Sequence, residues 1–287
     1  MKKVTVCLCA YLLMMAAFIP KLVSADEKAS LSEEVKMDNY VSRLYKQIDF
    51  HDGEVLPFDV FSTAMHGYMN LRNAGKLNAE HNVLTVCDMA MSSTTNRMWV
   101  IDLDKKKVLF NNYVAHGQGS GDDGRLSFSN KAITHKSSLG FYVTKETYDG
   151  EHGTSLRLDG QDEGFNDAAL DRGIVVHGAE YVCDRMIAEK DRIGRSWGCP
   201  AVPQKLSLPI IESIKEGTCL FIYYPDQKYL GHSYWLNKKV AYIPEQSLFD
   251  DVAQPTASAQ GKMRQITYMT NNRVDSVKMV PVALSQK

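Results

Sequence analysis

Two short motifs decide the interpretation of this sequence: GIVVHGAEYV at residues 173–182 and GRSWGCPAVP at residues 194–203. The β-branched run that opens the first motif predicts a strand that ends at His177. Cys199 follows 22 residues later, in a turn flanked by glycine and proline. The reactive form of cysteine is the thiolate, and a neighbouring imidazole is the usual means of forming it near neutral pH. The two motifs therefore predict a cysteine and histidine pair suited to nucleophilic acyl transfer.

The turn around Cys199 also predicts an oxyanion hole. Gly198 lets the backbone turn sharply, so that the amide N–H groups of Trp197, Gly198 and Cys199 can point at a developing negative charge. Loss of one such donor typically costs roughly 100- to 1000-fold in rate. The residues by themselves leave a second interpretation open, in which Cys199 is a structural cysteine or one half of a disulfide.

The same residues resemble the murein L,D-transpeptidase catalytic domain family. In that family His-Gly follows a strand, and Ser/Thr-His-Gly-Cys follows after a spacer; His177-Gly178 and residues 196–199 stand in those places. The wider sequence is similar to a Trp-Gly-Cys-Pro branch of the family over about residues 83–225. The motifs that carry this similarity are VAHGQGSG at 114–121, FSN at 128–130, SSLGFY at 137–142, HGTSLRLDG at 152–160 and GRSWGCP at 194–200.

The resemblance implies a mechanism and a substrate. Cys199 attacks the carbonyl group that links the third residue of a peptidoglycan stem peptide to D-Ala, while His177 acts first as general base and then as general acid. The Gly178 carbonyl orients the imidazole, and Ser196 forms hydrogen bonds within the turn or is an ordinary turn serine. An amine of a second stem peptide, or water, then releases the acyl group from sulfur. The resemblance implies no cofactor.

Two departures from the family pattern concern substrate binding. Trp197 stands where most members have a second histidine, and Ala201 stands where they have an arginine that anchors the substrate carboxylate. We expect a nearby arginine to replace it, because a guanidinium can bind a carboxylate through two N–H groups. Arg195 and Arg172 lie beside the motif turns and are the candidates. The predicted substrate-binding residues are therefore Arg195, Arg172, His116 and Tyr142.

Alternative functions stay open at this point. Water as the acceptor would make the protein an L,D-carboxypeptidase, and Trp197 in place of histidine also fits a peptidoglycan-binding module without catalysis. A papain-like peptidase is disfavoured because its cysteine precedes its histidine. A sortase needs an arginine soon after the cysteine, and none occurs before Arg264. No C-x-x-C or His/Cys cluster with zinc-ligand spacing occurs, so no structural metal is expected.

The N-terminus predicts export. Lys2-Lys3, an apolar run from residue 4 to 19 and a small-residue site that ends at Ala25 are typical of a signal peptide over residues 1–25. The alternative is an uncleaved anchor, although the apolar run is shorter than the roughly 20 residues of a membrane span. Cleavage removes three lysines and no acidic residue, and changes the formal charge from −1 to −4. A mildly acidic, periplasmic or envelope-associated protein is expected, with no attraction to nucleic acid.

The remaining pattern predicts a mainly β fold. Helical spacing at residues 30–48 and from Pro57 to Asn73 indicates a helical segment within residues 26–82. Residues 83–225 form the predicted catalytic domain, a β-sandwich or distorted barrel, with a short helix at 207–215 after the catalytic cysteine. Residues 226–287 form an extension of unknown role. The predicted strands lie at 83–89, 97–103, 107–116, 139–145, 155–158, 173–177 and 218–224.

Overall fold

The computed structural model describes residues 25–51 and 53–244, together with two strands at 263–270 and 273–281. The chain divides into two compact units, and the boundary lies between Ile243 and Pro244. The predicted signal peptide lies outside the described residues except for Ala25. Within the described residues, no helix combines the length and the apolar character needed to cross a membrane.

Eight strands of the first unit form one mixed sheet. Their order across the sheet is β3-β2-β1-β8-β4-β5-β6-β7, and neighbouring strands are antiparallel except for the β1–β8 and β6–β7 pairs, which are parallel. The strands are β1 (Val83–Asp88), β2 (Met98–Asp102), β3 (Lys107–Asn112), β4 (Gly140–Gly150), β5 (Gly153–Gly160), β6 (Val175–Ala179), β7 (Ala201–Pro203) and β8 (Cys219–Tyr223).

The two edges of this sheet nearly meet. The chain that follows β3 runs along the edge strand β7, where the Ala115 amide donates to the Ala201 carbonyl at 2.8 Å. One step further, the Ser196 amide donates to the His116 carbonyl at 3.0 Å, and the Gln118 amide donates to the Ser196 carbonyl at 2.8 Å. These bonds cover an edge that would otherwise leave backbone groups unpaired. The predicted mainly β, distorted-barrel fold is confirmed.

Two long helices precede the sheet, as the spacing predicts. Helix α1 spans Ala25–Gln47, and α2 spans Phe58–Asn73, beginning directly after Pro57. Helix α2 packs against β1 and β8. Gly67 of α2 also lies close to β4, since a Cβ atom at this position would lie 2.0 Å from the ring of Phe141.

Shorter helices complete the first unit. Helix α4 (Gln204–Ile214) begins directly after β7 and packs against β6, which confirms the short helix expected after Cys199. Three short helices and β7 itself were not predicted. The three helices are α3 (Asp184–Lys190), α5 (Gln227–His232) and α6 (Tyr234–Asn237).

The end of the first unit differs from the predicted boundary after residue 225. The Asn70 side-chain amide in α2 donates to the carbonyl groups of Trp235 and Lys238 at 2.9 and 2.8 Å. The Trp235 indole donates in turn to the Gln161 carbonyl at 2.7 Å. Residues 226–243 therefore belong to the first unit. The second unit contains an antiparallel pair, β9 (Met263–Thr270) and β10 (Arg273–Pro281), within the extension to which the sequence assigns no role.

The four cysteines of the described chain are free thiols. Cys87 lies opposite Ile222 and Cys219 lies opposite Leu84 in the parallel β1–β8 pair. This offset of three residues separates the two thiols by about 10 Å along the strands, and a disulfide needs Cα atoms within about 7 Å. Cys199 is itself among these free thiols, so the alternative in which it belongs to a disulfide is not supported.

Candidate active site

Strand pairing brings His177 and Cys199 to the same place. His177 lies at the centre of β6 and is paired with Ala201, the first residue of the parallel strand β7. Cys199 lies two residues before Ala201, so the turn that carries the thiol reaches the level of the imidazole. Both side chains line one cleft of about 660 Å³.

Three segments form this cleft: the β4–β5 hairpin, the chain that leads into β6, and the turn that precedes β7. The cleft contains most of the side chains that the sequence predicts for the site. These are Cys199, His177, Ser196, Trp197, Arg172 and Arg195. No group of three or more residues able to hold a metal ion occurs among the described residues.

His177 is held as a neutral base. Its Nδ1 lies 2.9 Å from the Gly178 carbonyl oxygen, which can only accept a hydrogen bond. Nδ1 therefore carries the proton, and the lone pair lies on Nε2. Burial lowers the pKa of His177, the bond to Gly178 opposes this shift, and the nearby imidazole of His152 adds to it. The Gly178 contact is the one that the family resemblance implies.

The Cys199 thiol also starts uncharged. It donates to the Gly173 carbonyl oxygen across 3.8 Å, and burial raises its pKa. The Val175 amide and the positive charge of Arg172 act in the opposite direction. The resting site is therefore a neutral thiol beside a neutral imidazole. Such a pair reacts by proton transfer during the attack, and catalytic hydrogen bonds commonly form only when substrate is bound.

Ser196 closes the turn that carries the thiol. Its hydroxyl donates to the Cys199 carbonyl at 2.6 Å and accepts from the Gly198 amide at 3.1 Å. The Gly198 N–H is therefore already used within the turn. This corrects the predicted set of three oxyanion donors and leaves the amides of Trp197 and Cys199.

The Cys199 turn is also held by contacts with residues outside it, through the Ser137 hydroxyl and through close backbone packing at Gly117. The Ser137 hydroxyl donates to the Gly198 carbonyl and accepts from the Gly117 amide, each at 3.0 Å. A Cβ atom on Gly117 would lie 2.3 Å from the His135 carbonyl oxygen and 2.8 Å from the Gly198 Cα. Gly198 itself has φ +123°, a conformation that favours glycine. The glycine-rich stretch at 116–121 thus supports the turn through close backbone packing. Ser137 was missed, although its motif was recognised.

The two candidate arginines are held differently. Arg172 donates to the Ser129 carbonyl at 2.8 Å, to the Lys136 carbonyl at 2.6 Å and to the Ser138 hydroxyl.

Arg195 uses only Nη1, which donates to the Gly121 carbonyl at 2.9 Å and to the Asp122 carboxylate at 3.0 Å. Its Nε and Nη2 groups are the donors not engaged in these bonds, so Arg195 has more hydrogen-bonding capacity to offer a ligand.

His116 and Tyr142 lie outside the cleft, which corrects their predicted role in substrate contact. Tyr142 is fully buried in β4, and its hydroxyl donates to the Ser138 carbonyl at 2.9 Å. His116 accepts from Arg97 at Nδ1, because a guanidinium can only donate, so its Nε2–H donates to the Gly121 carbonyl. Burial, reinforced by Arg97, lowers the pKa of His116 to about 4. Both side chains support the loops around the cleft.

Comparison with known protein families identifies the family of this chain. A sequence model of the L,D-transpeptidase catalytic domain matches residues 53–223, more than half of the chain. The chain belongs to the L,D-transpeptidase family. No match was found among curated protein sequences.

Several solved structures are similar to this family member. An L,D-transpeptidase from Mycobacterium smegmatis is 13% identical, with a TM-score of 0.31 over 50% of this chain and 59% of that protein. L,D-transpeptidase 3 from Mycobacterium tuberculosis is 12% identical, with a TM-score of 0.30 over 50% of this chain and 61% of that protein. An L,D-transpeptidase from Stackebrandtia nassauensis is 12% identical, with a TM-score of 0.31 over 67% and 92%. The chain thus spans less than two thirds of both mycobacterial proteins.

Two aromatic stacks lie at the cleft of this L,D-transpeptidase family member. Trp197 is 71% exposed and stacks on His135, with ring centroids 4.8 Å apart and planes within 5°. His152 stacks on His177, with centroids 4.3 Å apart and planes 19° apart. The motif at 152–160 contains His152, but spacing alone does not assign it to the site.

Proposed function

We propose that this chain is a peptidoglycan L,D-transpeptidase in which Cys199 is the nucleophile and His177 the general base and acid. The observation that carries the proposal is the β6–β7 pairing, because it brings the Cys199 turn beside an imidazole whose Nε2 lone pair is free. The family match supports the reaction class.

In the proposed first half-reaction, Nε2 of His177 removes the thiol proton as sulfur attacks the stem-peptide carbonyl. The amides of Trp197 and Cys199 stabilise the resulting oxyanion. The intermediate then breaks the C–N bond to D-Ala, the leaving amine takes its proton from His177, and a thioester remains on Cys199.

In the second half-reaction, a stem-peptide amine attacks the thioester. The amine gives its proton to His177, the C–S bond breaks, and the thiolate recovers a proton from His177. The product is a new amide bond between the third residue of one stem and the amine of another. Attack by water at the same step gives L,D-carboxypeptidase activity instead.

Incubation with purified muropeptides, followed by mass spectrometry, tests the proposal. Cross-linked dimers with loss of D-Ala are expected from the wild-type protein, and Cys199→Ala is expected to abolish them while the thermal unfolding temperature stays near that of the wild type. Tripeptide products alone would replace transpeptidation by hydrolysis. Binding without any product would replace both by the peptidoglycan-binding alternative.

We also propose that residues 1–25 are a signal peptide and that the protein acts outside the cytoplasmic membrane. The charged, apolar and small-residue regions of the N-terminus support this proposal. N-terminal sequencing of the protein from cell envelopes is expected to begin near Asp26, and recovery of Met1 would contradict it.

A further inference from the structure

His152 is the one imidazole that stacks on the proposed catalytic base within the described residues. It belongs to the two-residue loop between β4 and β5, where Gly150 pairs with Gly153 and fixes the hairpin register. The stack, with ring centroids 4.3 Å apart, covers a face of the His177 ring. His152 itself is exposed, whereas His177 is 3% exposed.

The residue that stands at the place of the family's second histidine does not fill this position. Trp197 stacks on His135 instead, away from the His177 ring. The cleft nevertheless contains a second imidazole beside His177, and it comes from a different element, the β4–β5 hairpin.

Two contacts therefore define how the His177 ring lies. The Gly178 carbonyl holds Nδ1 at one edge of the ring, and His152 covers the ring face. The imidazole turns about its Cβ–Cγ bond, and a single hydrogen bond at Nδ1 tolerates part of that rotation, whereas a stacked neighbour also restricts the tilt of the ring plane. Aromatic pairs of this kind contribute beyond the area they bury.

We propose that His152 is a positioning residue for the acyl-transfer reaction, which holds the plane of the His177 ring by stacking. This inference rests on the proposed function, because it assigns His152 a role toward the base of that reaction. The pKa of His177, lowered mainly by burial, is lowered further by His152, so the stack also favours the neutral base. The other titratable side chains lining the cleft are Tyr148, Glu151, Arg172, Tyr181, Arg195 and Cys199.

The test is the rate of Cys199 alkylation by iodoacetamide in the full chain, measured from pH 5 to pH 9. His152→Ala is expected to lower the rate at pH 7 by roughly 2- to 10-fold and to move the acid limb of the profile upward, toward the ordinary pKa of histidine. His152→Phe keeps a stacking ring and is expected to restore the rate to within about twofold of the wild type.

His232→Ala is the matched control, since His232 is exposed on α5 and bonds only to the Lys228 carbonyl. Wild-type rate and acid limb in His152→Ala would overturn the inference, and so would a His152→Phe variant as slow as His152→Ala. His177→Ala separates the two proposals. If His177→Ala leaves the rate of Cys199 alkylation unchanged, His177 is not the base and the proposed function is contradicted. If His177→Ala slows alkylation while both His152 variants match the wild type, only the role of His152 is contradicted.

Discussion

At the scale of single residues, the reactivity that we propose for Cys199 depends on proton transfer to His177 and does not require a thiolate in the resting site. Burial raises the pKa of the thiol and lowers the pKa of His177, so both groups are neutral in the resting site. A thiol that reacts well below its own pKa therefore needs the imidazole in its base form.

The first prediction follows from this protonation state. Acylation of Cys199 by a carbapenem should lose rate only below the ordinary histidine pKa, because the folded-state pKa of His177 is lowered. His177→Ala should reduce the rate at pH 7 by roughly 100- to 10,000-fold and leave a profile that rises with thiolate formation. Stopped-flow measurement of adduct formation checks both features. An unchanged profile in the variant would exclude His177 as the base.

The second prediction at this scale concerns Arg195 as a substrate-binding residue. The Nε and Nη2 groups of Arg195 can donate to a substrate carboxylate, because its bonds to Gly121 and Asp122 use Nη1. The Asp122 side chain in this ion pair is 83% exposed. Arg195→Ala should raise KM for tetrapeptide stems by roughly 10- to 100-fold, as expected for loss of a charged hydrogen bond. The unfolding temperature should change little, because exposed ion pairs contribute about 0–1 kcal/mol.

Arg185→Ala, an exposed change in α3, controls for net charge in that experiment. Steady-state kinetics gives KM for both variants. A KM for Arg195→Ala that equals that of the control would remove Arg195 from the substrate site and leave Arg172 as the candidate.

At the scale of elements, the turn before β7 depends on the segment that follows β3. Gly117 allows that segment to approach the Gly198 backbone, and Ser137 joins the two through its hydroxyl. The position of the thiol is therefore determined by two stretches of chain about 80 residues apart in sequence.

The third prediction tests whether the contact between the Gly117 segment and the Cys199 turn positions the thiol. Gly117→Ala would bring Cβ to within 2.3 Å of a carbonyl oxygen, so the backbone must shift, and overpacking of this kind typically costs about 1–3 kcal/mol. We expect lower stability and a loss of turnover larger than the loss of stability predicts. Gly231→Ala is the control, because a Cβ there meets no atom within 4 Å. Denaturant unfolding and muropeptide turnover are measured on both variants. Together they show whether the Gly117 segment positions the Cys199 turn or only contributes stability.

At the scale of the whole molecule, a buried polar network links the sheet to the loops around the cleft. Arg97 is fully buried and donates to the Val114 carbonyl, the Met91 carbonyl and His116 Nδ1. His116 must be neutral to accept from Arg97. Its pKa of about 4 in the folded chain lies below the ordinary value of 6.5.

The fourth prediction concerns stability against pH. Between these two pKa values the His116 side chain binds more protons in the unfolded chain than in the folded chain, so its contribution to the free energy of unfolding should fall as pH decreases from about 6.5 to about 4. The contribution of His116 is at most about 3 kcal/mol. Glutamine can accept from Arg97 and donate to the Gly121 carbonyl, so His116→Gln should flatten this dependence in urea unfolding curves. Burial also lowers the pKa values of His66 and His177, so both act in the same direction and leave a residual slope. An equal slope in both proteins would contradict the role of His116.

Much of this molecule can be predicted from local sequence. The strands β1 to β6 and β8, helix α2 and the pairing of His177 with Cys199 in one site follow from β-branched runs, turn residues and two motifs. These signals are local, because side-chain periodicity and turn geometry depend on residues close in the chain. The three-residue strand β7 is too short to leave such a signal.

Only the tertiary structure decides what surrounds the two reactive residues. Tyr142 and His116 carry functional groups that suit a substrate site, yet the pleat of β4 buries the first and Arg97 holds the second. His152 lies in a hairpin loop that sequence alone does not connect to β6, and the Gly198 amide is used by Ser196. The chemistry that we propose for Cys199 and His177 can be predicted from the sequence because it depends on residue type and backbone turns. Their protonation and orientation depend on burial and on contacts between distant segments, and these exist only once the sheet has nearly closed.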